Sequence, residues 1–282
     1  MPCPLRVLPA AGLFLLQTAG FSTEVEARLA EVTKALPARF TAIAEPPFVV
    51  VGNEPAEVVR RHAATTVRLA VTRLKQDFFT RDPDEVITIW LFKDRASYEA
   101  GTFQIFGERP TTPFGYYSAR HQALIMNIAT GGGTLVHEIV HPFIRANFPA
   151  CPTWFNEGLA SLFEASAVRD GRLVGLTNWR LPGLQAAIRD RRTLPFATLF
   201  ALGNAEFYAD PTDGYNRHYG QARYLCYYLQ EQGLLRKFYH EFSTHASEDP
   251  TGLRSLQRVL DTDGLAAFQA RWEAWVLALK AR

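Results

Sequence analysis

The chain has 282 residues, 48% of them apolar and 21% charged, with a formal net charge of +2. That length can bury a large core without disulfide staples, and the composition is that of a globular protein, not of a disordered or fibrous one. The charge is too small, and no basic tract is interleaved with aromatics, to argue for nucleic acid or an anionic membrane as partner.

In chain order, Arg6 precedes an apolar run over residues 7–16, and small residues Thr18, Ala19 and Gly20 follow. This pattern fits a short secretory signal over residues 1–22, which would send the protein out of the cell or into the periplasm. Pro9 interrupts the run and a single basic side chain precedes it, so a buried N-terminal segment of a cytoplasmic protein is the alternative. The run is too short for a comfortable membrane span. A helix is expected over Glu24 to Leu36, a strand over Phe48 to Val51, a long helix over Ala56 to Phe79 and an alternating strand over Val86 to Phe92. A short helix at Ala96 to Phe103 and a hairpin at Phe114 to Ile128 follow. Helices are then expected at Trp154 to Ser166, Leu184 to Arg189, Phe196 to Leu202, Tyr219 to Gln230, Leu234 to Phe242, Leu253 to Leu260 and Leu265 to Lys280, with a second hairpin at Ala167 to Gly175. The pattern predicts an α+β fold. A small mixed-sheet lobe, residues 23–146, is followed by a mostly helical lobe, residues 147–282, the two forming one functional unit with a cleft between them.

The most informative pattern is His137-Glu138-Ile139-Val140-His141, followed by Glu157 within Trp154-Phe155-Asn156-Glu157-Gly158-Leu159-Ala160. Residues four apart on a helix share a face, so the two imidazoles can converge on one ion while Glu138 leans over its edge. A catalytic zinc takes three protein ligands and leaves a position for water, which makes Glu157 the candidate third ligand. Leu135, Val136, Ile139 and Val140 mark the helix as buried, where two histidines and a glutamate are costly without partners. The break from Asn147 to Pro152 gives room to end one helix and begin another, with Pro152 suited to the new first turn.

The paired motifs resemble the gluzincin branch of zinc metallopeptidases, and most closely bacterial peptidase-MA-like domains. The resemblance runs from about Ala123 to Phe242 and includes Ala123-Leu-Ile-Met-Asn-Ile128 and Tyr219-Gly-Gln-Ala222. It implies a zincin-like fold, a peptide or protein substrate, and one zinc ion held by His137, His141 and Glu157, with Glu138 as general base. It also implies an oxyanion donor on the later helix, for which Tyr219 has the matching position and His218 and Tyr215 are alternatives. The chain departs from thermolysin-like relatives at Ser161, where they carry an aspartate that orients a zinc histidine; Glu164 is the candidate for that support. Pro142, directly after the second histidine, removes a helix hydrogen bond and is expected to bend the helix.

The segment from Ala123 to Thr130 reads either as an edge strand able to hold an extended peptide or as a plain core strand. Gly131 to Gly133 then turns the chain, and Thr134 is expected to cap the metal helix. Cys151 and Cys226 can be a disulfide or two unpaired thiols. His62, His121, His240 and His245 stand singly and read as structural. No Gly-x-Ser-x-Gly elbow or phosphate-binding loop is present. Besides peptide hydrolysis, two readings stand: a catalytically silent, zinc-stabilised scaffold, and a zinc hydrolase of a non-peptide amide.

Overall fold

The structure is a computed structural model that describes residues 11–110 (side chains from residue 22), 112–209, 217–262 and 264–280. Tyr215 and the first ten residues of the expected leader lie outside the described residues. Helix α1 covers Ala11–Lys34, longer than predicted, and β1 (Thr41–Glu45) and β2 (Phe48–Gly52) follow. Next come α2 (Ala56–His62), a widened turn of helix over Ala63–Arg68, α3 (Leu69–Asp77), β3 (Ile87–Phe92), α4 (Arg95–Phe106), β4 (Gly115–Ser118) and β5 (Ala123–Asn127). The remainder is α5 (Gly132–Asn147), α6 (Thr153–Leu162), β6 (Ser166–Arg169), β7 (Arg172–Gly175), α7 (Leu181–Arg189), α8 (Phe196–Ala201) and α9 (Asn204–Tyr208), then α10 (Arg217–Glu231), α11 (Leu235–Thr244), α12 (Leu253–Leu260) and α13 (Leu265–Ala278). The α+β expectation holds. No helix among the described residues is long and apolar enough to cross a membrane.

Two compact units are present, one of residues up to 65 together with 85–129, the other of residues 66–84 and 130–282. The first carries a mixed sheet in the order β1-β2-β3-β5-β4. Strands β2, β3 and β5 run parallel, Val50 lying beside Ile89 and Ile89 beside Leu124, while β1 and β4 close the two edges antiparallel. Every residue of β2, β3 and β5 is buried, the signature of strands covered on both faces. One face packs Val49, Val51, Trp90, Phe92 and Ile125 with Val25 of α1 and Tyr98 of α4. Helix α4 starts where the Asp94 side chain accepts the Ser97 amide at 2.7 Å and ends at Gly107, whose φ of 70° suits only glycine well.

The Ala123 segment is therefore an interior strand, with β4 at the edge, and the edge-strand reading is overturned. Its run Ala-Leu-Ile-Met-Asn is buried throughout, so both faces are covered, and its backbone is paired on one side with β3 and on the other with β4.

The second unit is built on helices. It contains α5, which the sequence reading had grouped with the sheet; α5 packs on α6 and α3 and so clusters with the helical residues. Helices α6 and α10 lie in close contact because Gly158 has no side chain: a Cβ there would sit 2.9 Å from the Ala222 carbonyl oxygen. Phe148, Trp154, Phe155, Phe238, Tyr239 and Phe242 stack edge and face beside this contact. Arg223 of α10, fully buried, donates to the carbonyls of Ser161 at 2.9 Å, Leu162 at 3.4 Å and Leu176, placing a cation on the negative end of α6. Cys151 and Cys226 are free thiols, and burial raises both above the usual thiol range.

Candidate metal centre

The glycine triplet shapes the start of the site. Gly131, at φ 104°, precedes the first turn of α5, so the helix begins at Gly132 and Thr134 lies inside it instead of capping it. Gly133 is where α5 meets the backbone of Glu164, whose carbonyl oxygen would stand 1.9 Å from a Cβ on that residue. Only a glycine lets the helix come that close. The helix buries Leu135, Val136, Ile139, Val140, Phe143 and Ile144, and it continues through Pro142 to Asn147.

On this helix His137 and His141 are one turn apart, with ring centroids 4.9 Å apart and planes at 78°. Glu157, 4% exposed on α6, faces both. Its Oε2 lies 3.4 Å from His137 Nε2 and its Oε1 3.9 Å from His141 Nε2. One ligand atom from each of the three residues falls within 4.8 Å of the others, and this is the group of histidine, cysteine and acidic side chains among the described residues suited to an ion. Ligands about 2.0–2.1 Å from a tetrahedral zinc stand roughly 3.4 Å apart. The His137–Glu157 separation of 3.4 Å matches that value, and the His141–Glu157 separation of 3.9 Å is somewhat longer.

Glu157 Oε2 is buried without a hydrogen-bond partner in the structure. A buried carboxylate oxygen 3.4 Å from an imidazole nitrogen calls for a positive charge at the pair, which a proton on His137 or a metal ion between the two supplies. The residues therefore fit a metal ion with nitrogen and oxygen preferences, such as zinc.

Each ligand has its own support. Glu164 Oε1 lies 3.2 Å from His137 Nδ1, close enough to pair though not well aligned for a hydrogen bond. Glu164 is in turn gripped by Arg180, with Nε to Oε2 at 3.0 Å and Nη2 to Oε1 at 2.7 Å, and by Asn178 Nδ2 at 3.2 Å. The predicted support by Glu164 in place of an acid at Ser161 is present in this contact; Ser161 is buried and gives its carbonyl to Arg223. His141 Nδ1 is paired with Asn156 Oδ1 at 2.9 Å, and Tyr208 donates its hydroxyl to Glu157 Oε1 at 2.6 Å.

In the metal-free arrangement the charges settle on the protein groups. Burial works against protonation of His137, but the carboxylates of Glu157 and Glu164 on its two nitrogens, with Glu138 beside them, hold its pKa up at about 10. Burial likewise opposes ionisation of Glu157 and Glu164, yet contact with His137, and for Glu164 also Arg180, brings each down to about 2. Glu138, half-buried, is next in the chain to His137, and its charge acts on both His137 and Tyr208.

Of the candidate donors, Tyr219 packs its ring under the Arg180 guanidinium at 4.8 Å and lies 6.4 Å, ring to ring, from Tyr208. Burial, then the charge of Glu157, raises its hydroxyl well above the usual phenol range. His218 is buried with Nδ1 against the Phe207 carbonyl at 2.9 Å. His62 and His121 have acidic neighbours of their own, Glu54 at 3.0 Å and Glu108 at 3.3 Å, as befits structural residues.

Sequence reasoning missed Asn156, Tyr208 and Arg180. Asn156 carried a usable signal, since it directly precedes the ligand glutamate on the same helix. Tyr208 and Arg180 reach the site only through the path of α7 and α9, which no local pattern reveals.

Residues 131–250 match the model of a family described as a protein of unknown function (DUF1570). The match covers less than half of the chain but spans α5, α6 and α10 and so every residue of this centre. No curated protein matches the chain.

Proposed function

We propose that this protein is a zinc-dependent hydrolase of peptide bonds. The observation that carries the reading is the convergence of His137, His141 and Glu157, whose buried Oε2 has no hydrogen-bond partner, beside a second, half-buried carboxylate, Glu138. When bound, the ion supplies Lewis acidity, lowering the pKa of a water and polarising a carbonyl. Glu138 accepts the proton of the attacking water and returns it to the leaving amine. The Tyr208 and Tyr219 phenols, raised by burial and by the charge of Glu157, keep their protons; the Tyr208 hydroxyl donates to Glu157 Oε1, which leaves Tyr219 as the donor to an oxyanion. Glu164 and Asn156 hold the two imidazoles in the orientation that presents Nε2 to the ion.

The test compares wild type with Glu138→Gln for zinc content and for cleavage of a mixed peptide library. One zinc per chain in both, with cleavage only by wild type, is the expected result. Equal cleavage by the variant overturns the proposal, and zinc in both without cleavage by either transfers the site to another amide or to a structural role.

A further inference from the structure

The second unit also contains a cavity of about 270 Å³ that shares no lining residue with the metal centre. Its floor is apolar, made by Phe78, Phe163, Leu173 and Leu235, all buried. Its wall carries Asp77, Arg172 and Arg236. Asp77 is 7% exposed, and its Oδ1 accepts from Nη1 of Arg172 and from Nη1 of Arg236, the latter at 3.3 Å. The remaining N–H groups of both guanidiniums have no protein partner among the described residues. Gln230 also lines the cavity, but its amide is engaged in a reciprocal pair with the Gly175 backbone, at 2.7 and 3.0 Å.

Two cations facing one buried anion leave an excess positive charge on an otherwise apolar pocket. Both guanidiniums reach Asp77 Oδ1 from side chains that are 40% and 52% exposed, so each keeps donors that can turn toward a ligand. Gly233 and Leu235 bring the start of α11, the positive end of a ten-residue helix, to the rim. The planar donor fork of arginine suits a carboxylate, and the single excess charge with an acid already present suits a monoanion better than a dianion. The volume is that of about nine water molecules, enough for a compact apolar body and too small for a drug-sized ligand. We propose that this cavity binds a small organic monocarboxylate, its acid on Arg172 and Arg236 and its apolar body on Phe78, Phe163, Leu173 and Leu235.

The experiment titrates the full-length protein with 3-phenylpropionate, 3-phenylpropan-1-ol and propionate, followed by calorimetry and NMR shifts. Saturable one-to-one binding of 3-phenylpropionate is expected, about tenfold tighter than either comparator, because each lacks one half of the recognition. Arg236→Gln weakens it by a similar factor, whereas Asp77→Asn tightens it by removing the competing anion. A purely structural ion-pair network would not produce that tightening. No saturation with wild type, equal binding of the alcohol, indifference to Arg236→Gln, or weaker binding by a folded Asp77→Asn overturns the proposal. Should Asp77→Asn fail to fold, Arg236→Gln decides the matter, since it leaves Arg172 on Asp77.

Discussion

Glu164→Gln separates a supported metal centre from a mere cluster of polar side chains. In the structure two carboxylate oxygens serve four donors: Oε1 meets His137 Nδ1 and Arg180 Nη2, and Oε2 meets Arg180 Nε and Asn178 Nδ2. A glutamine keeps the shape but offers one oxygen, so its NH₂ must point at donors on one side or the other. If it takes the place of Oε1, it faces His137 and Arg180 Nη2 and the imidazole loses the partner that fixes its tautomer; if it takes the place of Oε2, it faces Asn178 and Arg180 Nε and a partly buried cation loses half of its grip. Loss of such a supporting group costs about 10–100-fold in metal affinity, or roughly 2 kcal/mol. The donor conflict adds about 1–3 kcal/mol to the destabilisation of the fold. Competition with a chromophoric chelator measures the first quantity and thermal melting of the metal-free protein the second. A zinc affinity within twofold of wild type, with an unchanged Tm, would refute the reasoning, because it would mean that neither His137 nor Arg180 needs this carboxylate.

Further outcomes follow from the same geometry. His137, held up at about 10 without metal, contributes stability that is complete below its ordinary value of 6.5 and fades as pH rises through about 10. Glu157 and Glu164, held down at about 2, contribute stability present above the ordinary value of 4.5 and lost as pH falls toward 2. The metal-free protein should therefore melt highest between pH 4.5 and 6.5 if this cluster dominates, and zinc binding near neutral pH should release about one proton from His137. Calorimetry in two buffers of different ionisation enthalpy checks the release, and none observed would contradict the pairing. Gly133→Ala forces a Cβ onto the Glu164 carbonyl and should lower stability by about 2 kcal/mol or more, read as a shifted denaturant midpoint with unchanged slope; an unchanged midpoint speaks against the close approach. Tyr219→Phe should reduce kcat on cleaved peptides by about a hundredfold with KM little altered, and full activity in that variant would remove Tyr219 from the oxyanion role.

The metal helix and its neighbour were legible because their chemistry is local. His137, Glu138 and His141 share one turn, which helical periodicity alone brings together, and Glu157 follows after a short break on the next helix, which packs against the first. Glu164 was legible for the same reason, being on the chain that leaves α6. The interior strand β2 was found from its apolar run and β3 from its alternation, although every residue of β3 is buried, but β1, with its short alternation Thr41 to Glu45, was not distinguishable from loop. The edge reading of Ala123 to Asn127 failed because strand order is a long-range property: only the pairing of β5 with both β3 and β4 decides it. The grouping of α5 with the sheet failed likewise, since proximity in sequence to β5 says nothing about which surface the helix buries. Tyr208 and Arg180 arrive from segments 51 and 16 residues beyond the groups they bind. No sequence period encodes such distances.

The most direct test of the central claim is anomalous diffraction from crystals of the zinc-loaded protein, recorded on both sides of the zinc absorption edge. The account predicts one strong peak bounded by His137 Nε2, His141 Nε2 and a Glu157 oxygen, at about 2.0–2.2 Å from each. A peak held by other residues, or no peak between these three in zinc-saturated crystals, would contradict it.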